Sequence, residues 1–354
     1  MSRFFSHKYD ALTPYTPGEQ PSGRQYVKLN TNESPFPPSE KAREYALHHV
    51  RSMELYSDPE AAELTRAVAD MCGVGEKNIL LTNGSDEILN FAFMAFCDGE
   101  HPAVFPDITY GFYRVFAEVN SVPYREIPLD ECLNIRPEDY TGLSGTLFIA
   151  NPNAPTGRYL SPETIERIVS SHPGVVVVDE AYIDFGGQSC APLTRKYDNL
   201  LVTQTFSKSR SMAGARLGFG VGCEALMRDL RTIKYSTNPY NVNSMTQALG
   251  LGTLMDGDYT KACCETIVKN RIYLADRLTD MGFEVIPSMA NFVFARTDKM
   301  PGGDVYRALK EHGVLVRHFD GERIRQYNRV TVGSMEQIDA LLTALGQILG
   351  GNRP

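Results

Sequence analysis

No stretch of this chain is rich in lysine or arginine. Acidic residues outnumber basic ones by 43 to 35, leaving a net charge of −8 and an isoelectric point near 5.5. Surfaces for nucleic acids and acidic membranes neutralise many phosphates with clustered cations, so neither class of partner is expected. A local cationic pocket for a small anion stays open. The seven cysteines are odd in number and contain no C-x-x-C pair. That pattern points away from a zinc site or a disulfide framework, towards the reduced thiols of a cytoplasmic protein. Histidines at metal spacing are also lacking. His48 and His49 are neighbours on an expected helix and cannot share one face, so no metal is expected. The longest aliphatic run, Val175 to Val178, falls far short of the roughly 20 residues that span a bilayer. Met1 to Lys8 hold no apolar stretch of the kind that forms a secretory signal. Repeats and low-complexity tracts do not occur.

At 354 residues, 42% hydrophobic and 22% charged, the chain can bury a large core and suits two domains. Residues 1–28, dense in Pro, Ser, Asn and Gly, read as an extended arm. Residues 53–249 are expected to form a large domain, and 29–52 with 250–354 a smaller one. In the large part, strands and helices alternate. Ala61 to Cys72 reads as a helix stopped by Gly73. Short strands are expected at Ile79–Thr82, Ala103–Phe105, Tyr124–Ile127 and Thr146–Ala150, with a helix from Ser85 to about Cys97. Ser161 and Pro162 give a helix N-cap followed by proline at the first helical position. Val175 to Val178 is a continuous β-branched run, as in a strand covered on both faces. Leu200–Thr203 and Leu217–Val221 add two more strands. This rhythm predicts an α/β fold with an open, mostly parallel sheet between helices. Beyond about Asn243 a long helix, short strands and a last helix near Met335 to Leu349 read as a smaller α+β domain.

Sites in open parallel sheets lie at the carboxyl ends of the strands. Four strand ends here carry distinctive polar groups. They are Asn83-Gly84-Ser85-Asp86, Asn151 to Gly157, Asp179-Glu180-Ala181-Tyr182, and Ser207-Lys208 followed by Gly214 and Arg216. One cofactor accounts for the set. Pyridoxal phosphate (PLP) needs a lysine for its aldehyde, a carboxylate for its pyridine nitrogen and donors for its phosphate. Lys208 supplies the amine. Asp179 can pair with the ring N–H⁺ and keep the ring able to accept electrons. The Gly84-Ser85-Asp86 turn opens a helix whose free N–H groups and positive dipole end suit a phosphate. Ser207 and Arg216 add contacts, the arginine in bidentate form. Tyr110 can stack on the ring, and Tyr182 can donate to the ring oxygen. Each element alone has an ordinary explanation as a surface lysine, a turn, a helix start or a structural ion pair. Their joint order carries the reading.

These residues resemble the fold-type I PLP enzymes, the aspartate-aminotransferase superfamily, over nearly the whole chain. Ser207-Lys208 with Gly214 and Arg216 resembles the S-K-x-x-x-x-x-G-x-R signature at the same spacing, and Asp179 to Tyr182 resembles D-E-A-Y. Within the superfamily the chain most resembles the histidinol-phosphate aminotransferase family. Leu12-Thr13-Pro14-Tyr15 resembles an arm motif whose tyrosine lies near the substrate phosphate. Leu29 to Glu33, which includes Asn32, resembles L-N-x-N-E, a further substrate-side element. Leu55 to Pro59 resembles Y-P-D-P, placing Tyr56 at the neighbouring subunit's cofactor phosphate. Arg329 to Gly333 resembles R-I-T-V-G, whose arginine binds the glutamate carboxylate, and Arg317 falls at a second substrate arginine. The resemblance implies a seven-stranded, mostly parallel large domain with a smaller α+β domain. It also implies PLP as cofactor, a homodimer, and small-molecule substrates: an amino-alcohol phosphate and 2-oxoglutarate or glutamate. One departure concerns the asparagine that the family carries directly before Pro-Thr-Gly, at the ring oxygen. Here it is Ala154, with Asn153 and Asn151 as nearby substitutes, Asn153 favoured, and Tyr182 sharing the role.

The implied reaction is transamination between L-histidinol phosphate and 2-oxoglutarate, with Lys208 as base at the substrate α-carbon. Arg329 is expected to serve mainly the α-carboxylate of glutamate. Arg317 and Tyr15 would serve the phosphate or the distal carboxylate. An aromatic aminotransferase and a threonine-phosphate decarboxylase are alternatives on the same scaffold. A non-catalytic effector-binding module would need a DNA-binding domain, and no basic helix-turn-helix precedes the first strand pattern.

Overall fold

The computed structural model describes residues 2–10, 12–20 and 23–350. An arm with little regular structure leads to β1 (Val27–Lys28), then α1 (Glu40–His49) and α2 (Ala62–Cys72). Ser39 caps α1 by accepting the Ala42 N–H. Gly73 closes α2 in the left-handed conformation (φ 63°), its N–H returning to the carbonyls of Ala69 and Asp70.

The large sheet holds β2 (Ile79–Thr82), β3 (Ala103–Pro106), β4 (Tyr124–Ile127), β5 (Thr146–Ala150), β6 (Val176–Asp179), β7 (Leu200–Thr205) and β8 (Gly218–Val221). Their order is β2-β8-β7-β6-β5-β3-β4. Only β8 runs against its neighbours; the pairs β3–β4, β3–β5, β5–β6 and β6–β7 are parallel. Successive side chains of a strand point to opposite faces. Val176 and Val178 therefore enter one core while Val177 enters another, and Leu200 and Val202 separate from Leu201 in the same way. Helices α3 (Ser85–Phe96), α4 (Phe112–Asn120) and α6 (Glu224–Thr237) cover one face, and α2 and α5 (Pro162–Ser171) cover the other. Double coverage explains why β6 is apolar at consecutive positions.

Two differences from the sequence expectation matter for the site. β6 covers 176–179 rather than 175–178, which makes Asp179 its last residue. Helix α4 was not among the expected elements. It begins after Gly111 with no side-chain cap and is rich in aromatic and β-branched residues, which give weak local helix signals. Its buried face, with Tyr113 and Phe116, is held by tertiary packing.

After α7 (Ser244–Leu254), against which α1 packs, comes the long α8 (Gly257–Asp280). Then follow β9 (Glu284–Ile286), β10 (Phe292–Arg296), α9 (Gly302–Glu311), β11 (Val314–Leu315), β12 (Arg317–His318), β13 (Tyr327–Thr331) and α10 (Met335–Gly350). The antiparallel sheet β12-β13-β10-β9 packs on α8 and α10. The early strand β1 pairs in parallel with β11, tying the start of the chain to this unit. Tyr182 and Ala154 join the second core although they follow strands of the large sheet. The two units thus meet beside the carboxyl ends of β5 and β6. Among the described residues, no helix is long and apolar enough to cross a membrane.

Candidate active site

Asp179 closes β6 with 4% exposure. One carboxylate oxygen accepts the Ala181 N–H at 3.1 Å, and the other accepts the Tyr113 hydroxyl at 3.2 Å. Burial pushes this carboxyl up to about 7, against the pull of those two hydrogen bonds. The sign for stability follows. As pH rises, the unfolded chain ionises Asp179 near 3.8, while the folded state holds its proton to about 7. Cofactor-free protein therefore loses stability from this group across that window, and the loss is complete above it. Asp179→Asn removes the ionisation. In thermal melts of cofactor-free protein, the variant should melt above wild type at pH 8, and the gap should close towards pH 4. A gap that is independent of pH would contradict the assignment.

Lys208 lies in the loop after β7, half-buried, and its Nζ donates to the Thr31 carbonyl at 3.1 Å. The ammonium sits 5.8 Å from the centre of the Tyr182 ring. Burial, with Arg329 adding to it, lowers this lysine to about 8. A useful fraction of free amine is then present near neutral pH.

A cationic cradle forms beside this lysine. Gly84 has φ 74°, and a Cβ there would come within 2.6 Å of the Arg216 guanidinium. Glycine is thus needed both for the turn and for the close approach. Ser85 begins α3, so its N–H belongs to the unpaired first turn. Arg216, itself in the left-handed region (φ 57°), donates to Asp86 at 2.7 Å and reaches the Ser207 hydroxyl at 3.5 Å. The other Asp86 oxygen accepts the Tyr110 hydroxyl at 2.7 Å. Asp86 therefore holds Arg216 and Tyr110 together. A cavity of about 100 Å³, lined by Ser85, Asp179, Ser207, Lys208 and Arg216, opens into a cleft of about 860 Å³. Tyr110, Ala154, Tyr182 and Lys208 line both. Amide and guanidinium donors, an amine, a buried carboxylate and aromatic walls fit the functional groups of PLP.

Two arginines, Arg317 and Arg329, also line the wider cleft. Arg317 and Arg329 are directly paired across β12 and β13. Like charges in that position destabilise a sheet unless an anion lies between them. Arg329 is half-buried: Nη2 donates to the Asn30 carbonyl at 3.2 Å, and Nε, itself buried, has no protein partner. Its guanidinium lies 5.2 Å from the Phe292 ring and 5.6 Å from Phe319. Burial lowers its pKa from the ordinary arginine value. Arg317 donates to the arm carbonyls of Thr16 and Pro17 at 3.0 and 3.3 Å. Tyr15 packs on Phe112 with ring centres 4.2 Å apart and lines the cleft.

Three expectations need correction or qualification. Asn153 does not line the cleft. Its oxygen accepts the Thr109 hydroxyl at 2.8 Å, and its amide donates at 3.0 Å to the Ile108 carbonyl and to Thr156. Asn151 is likewise committed to the Leu160 backbone, at 2.9 and 2.8 Å. Both are buried and already hydrogen-bonded within the loop, so neither side chain is free to replace the asparagine missing at Ala154. Asn32 does line the cleft, but its amide is used inside the protein. It donates to the Tyr182 hydroxyl at 3.0 Å and accepts from Thr331 at 3.0 Å, so it orients Tyr182. Tyr56 lies apart from its own chain's cleft, 84% exposed and stacked on Tyr240 at 4.6 Å. Sequence reasoning missed the Thr31 carbonyl and Tyr113. A backbone acceptor leaves no mark in a sequence. Tyr113 had one: it stands three residues after Tyr110, inside the same aromatic cluster Tyr110 to Tyr113. No metal-binding cluster occurs among the described residues.

The sequence profile of the aminotransferase class I and II family matches residues 24–345. A histidinol-phosphate aminotransferase of Clostridium beijerinckii is 42% identical, covering 100% of this chain and 99% of its own length. The solved structure of histidinol-phosphate aminotransferase from Sinorhizobium meliloti, in complex with pyridoxal-5'-phosphate, superposes with a TM-score of 0.89 at 21% identity, over 99% of this chain and 98% of that one. L-threonine-O-3-phosphate decarboxylase from Porphyromonas gingivalis superposes with a TM-score of 0.79 at 20% identity, over 92% and 100%. Likeness at that identity establishes the shared fold and leaves the reaction open. The profile match and the full-length relative decide membership: this chain belongs to the aminotransferase class I and II family of PLP-dependent transaminases.

Proposed function

We propose that the enzyme moves an amino group between L-histidinol phosphate and 2-oxoglutarate, giving imidazole acetol phosphate and glutamate, in histidine biosynthesis. The carrying observation is the facing pair Arg317 and Arg329 in the cleft that Lys208 borders. One proposed substrate carries a phosphate and the other two carboxylates, and planar guanidinium groups suit phosphate and carboxylate alike. Full-length similarity to the Clostridium relative supports a phosphate as the amine's anionic end. The test is a donor panel on PLP-loaded enzyme with 2-oxoglutarate. Histidinol phosphate should exceed phenylalanine as donor. Faster turnover of phenylalanine, or release of CO₂ from phosphothreonine without 2-oxoglutarate, would replace this assignment with an aromatic transaminase or a decarboxylase.

When bound, PLP supplies an aldehyde that takes up the amino group and a ring that stores an electron pair. The chain does the rest. Ser85, Ser207 and Arg216 hold the phosphate end, and Asp179 keeps a negative charge at the ring nitrogen. Lys208 Nζ removes the proton from the substrate α-carbon, aided by a pKa near 8. Asn32 fixes the Tyr182 hydroxyl, and Arg329 orients the carboxylate of glutamate. The arm, through Tyr15 and the Arg317 contacts, narrows the mouth of the cleft.

A homodimer is part of this proposal. Its support is Tyr56, exposed within an apolar stretch that includes Leu47, Val50, Met53 and Leu55. If Tyr56 acts across the interface, Tyr56→Phe and Lys208→Ala subunits complement each other, because a mixed dimer regains one intact site. Equal amounts of two impaired homodimers should, after random subunit exchange, recover about a quarter of wild-type activity, because about half of the dimers are mixed and each has one intact site of two. No recovery in verified mixed dimers would place Tyr56 outside the partner's site. A cytoplasmic location is likewise proposed, supported by seven unpaired cysteines.

A further inference from the structure

We propose that Tyr113 is a positioning residue for this reaction, whose hydroxyl bonds to Asp179 from behind the cofactor pocket and holds the carboxylate ionised and in one orientation. The inference rests on the reading of Asp179 as the partner of the ring nitrogen. Asp179 lines the small cavity, and Tyr113 does not. Tyr113 is fully buried in α4, and its ring is fixed on three sides. Ring centres lie 5.8 Å away at Phe105, 5.7 Å at Phe148 and 5.7 Å edge-on at Tyr110. Packing of this kind needs only a phenyl group. A hydroxyl placed among aromatic rings is costly unless it finds a partner, and the Asp179 oxygen 3.2 Å away is the partner it has. With the Ala181 N–H on the other oxygen, each carboxylate oxygen has one protein donor and keeps acceptor capacity for the pocket side. The charged and titratable groups that bear on Asp179 are Tyr113 of α4, Asp86 of α3, Lys208 after β7 and Tyr182 after β6. Asp86 opposes its ionisation, and Lys208 and Tyr113 favour it. Burial and Asp179 itself keep the Tyr113 phenol protonated, so it remains a donor at working pH.

The experiment is a double-mutant cycle of Tyr113→Phe and Asp179→Asn on the full-length enzyme. Three quantities are read: PLP dissociation constant, pH midpoint of the bound cofactor's absorption change, and melting temperature of the cofactor-free form. In the wild-type background, Y113F should weaken PLP by about tenfold, the worth of one hydrogen bond to a charged group. It should also move the absorption midpoint upwards, because a more basic carboxylate draws the proton from the ring. In the D179N background the same change should have little effect, since Tyr113 acts through the carboxylate. Equal weakening in both backgrounds with an unmoved midpoint means a packing role and overturns the proposal. So does wild-type behaviour of Y113F beside an impaired D179N, which leaves the Asp179 reading intact. If D179N itself binds PLP as wild type does, the Asp179 reading falls and takes this inference with it. Site-specific 3-fluorotyrosine at 113 covers the case in which Y113F fails to fold. It keeps the ring and strengthens the donor, so the midpoint should move down; an unmoved or raised midpoint counts against the proposal.

Discussion

Replacing Lys208 by alanine should lower turnover with every amino donor by at least about 10⁴-fold, because one atom provides both cofactor attachment and proton transfer. The pocket has no second amine at that place: Asp179, Ser85, Ser207 and Arg216 cannot substitute as a base of pKa near 8. Lys208→Arg should be as inactive as the alanine variant. It restores the positive charge, but a guanidinium does not give up a proton in the working range. Borohydride reduction of wild type should leave a pyridoxyl group on the peptide containing residue 208, and on neither variant. Wild-type cofactor uptake should also accelerate as pH rises through about 8, since the lowered lysine releases its proton there. Substantial activity in the arginine variant, or a label elsewhere, would overturn the assignment of this residue.

The second large effect is expected at Arg329. Arg329→Ala should reduce kcat/KM for glutamate by about 10²- to 10³-fold, as for loss of one member of a buried, hydrogen-bonded charge pair. Histidinol phosphate, which has no α-carboxylate, should lose less than about tenfold by the same comparison. The variant should also be more stable without ligands. Arg329 is half-buried, its Nε is buried without a partner, and it faces Arg317 across the strand pair. Its charge is uncompensated until an anion arrives. Site groups of this kind favour binding over stability. Steady-state kinetics with both donors, beside melting curves of the cofactor-free protein, test both halves. Equal losses for the two donors would end the proposed division between Arg329 and the phosphate-binding residues.

The sheet was legible because its signal is local. Ile79–Thr82, Tyr124–Ile127 and Thr146–Ala150 are strands at the expected residues, and β-branched runs between turn residues leave few alternatives. Capping chemistry was equally readable at Ser161 and Gly73. Helix α4 escaped because its cap is a glycine and its residues are poor helix formers. The choice of Asn153 failed for a related reason. Asparagines two residues apart look interchangeable in a sequence, but the loop turns Asn153 towards Ile108 and Thr156.

The order of residues alone was enough to settle the chemical inventory and the strand ends that carry it, since a motif such as Ser207 to Arg216 binds residue types to fixed spacings along one segment. Which groups face each other came from folding. The Arg317–Arg329 pairing, the Lys208 bond to Thr31, the Asn32 grip on Tyr182 and the Tyr113 bond to Asp179 all join residues brought together by strand register and helix packing. Partners far apart in sequence meet only when burial of the two cores fixes the register between elements, and no local propensity encodes that distance.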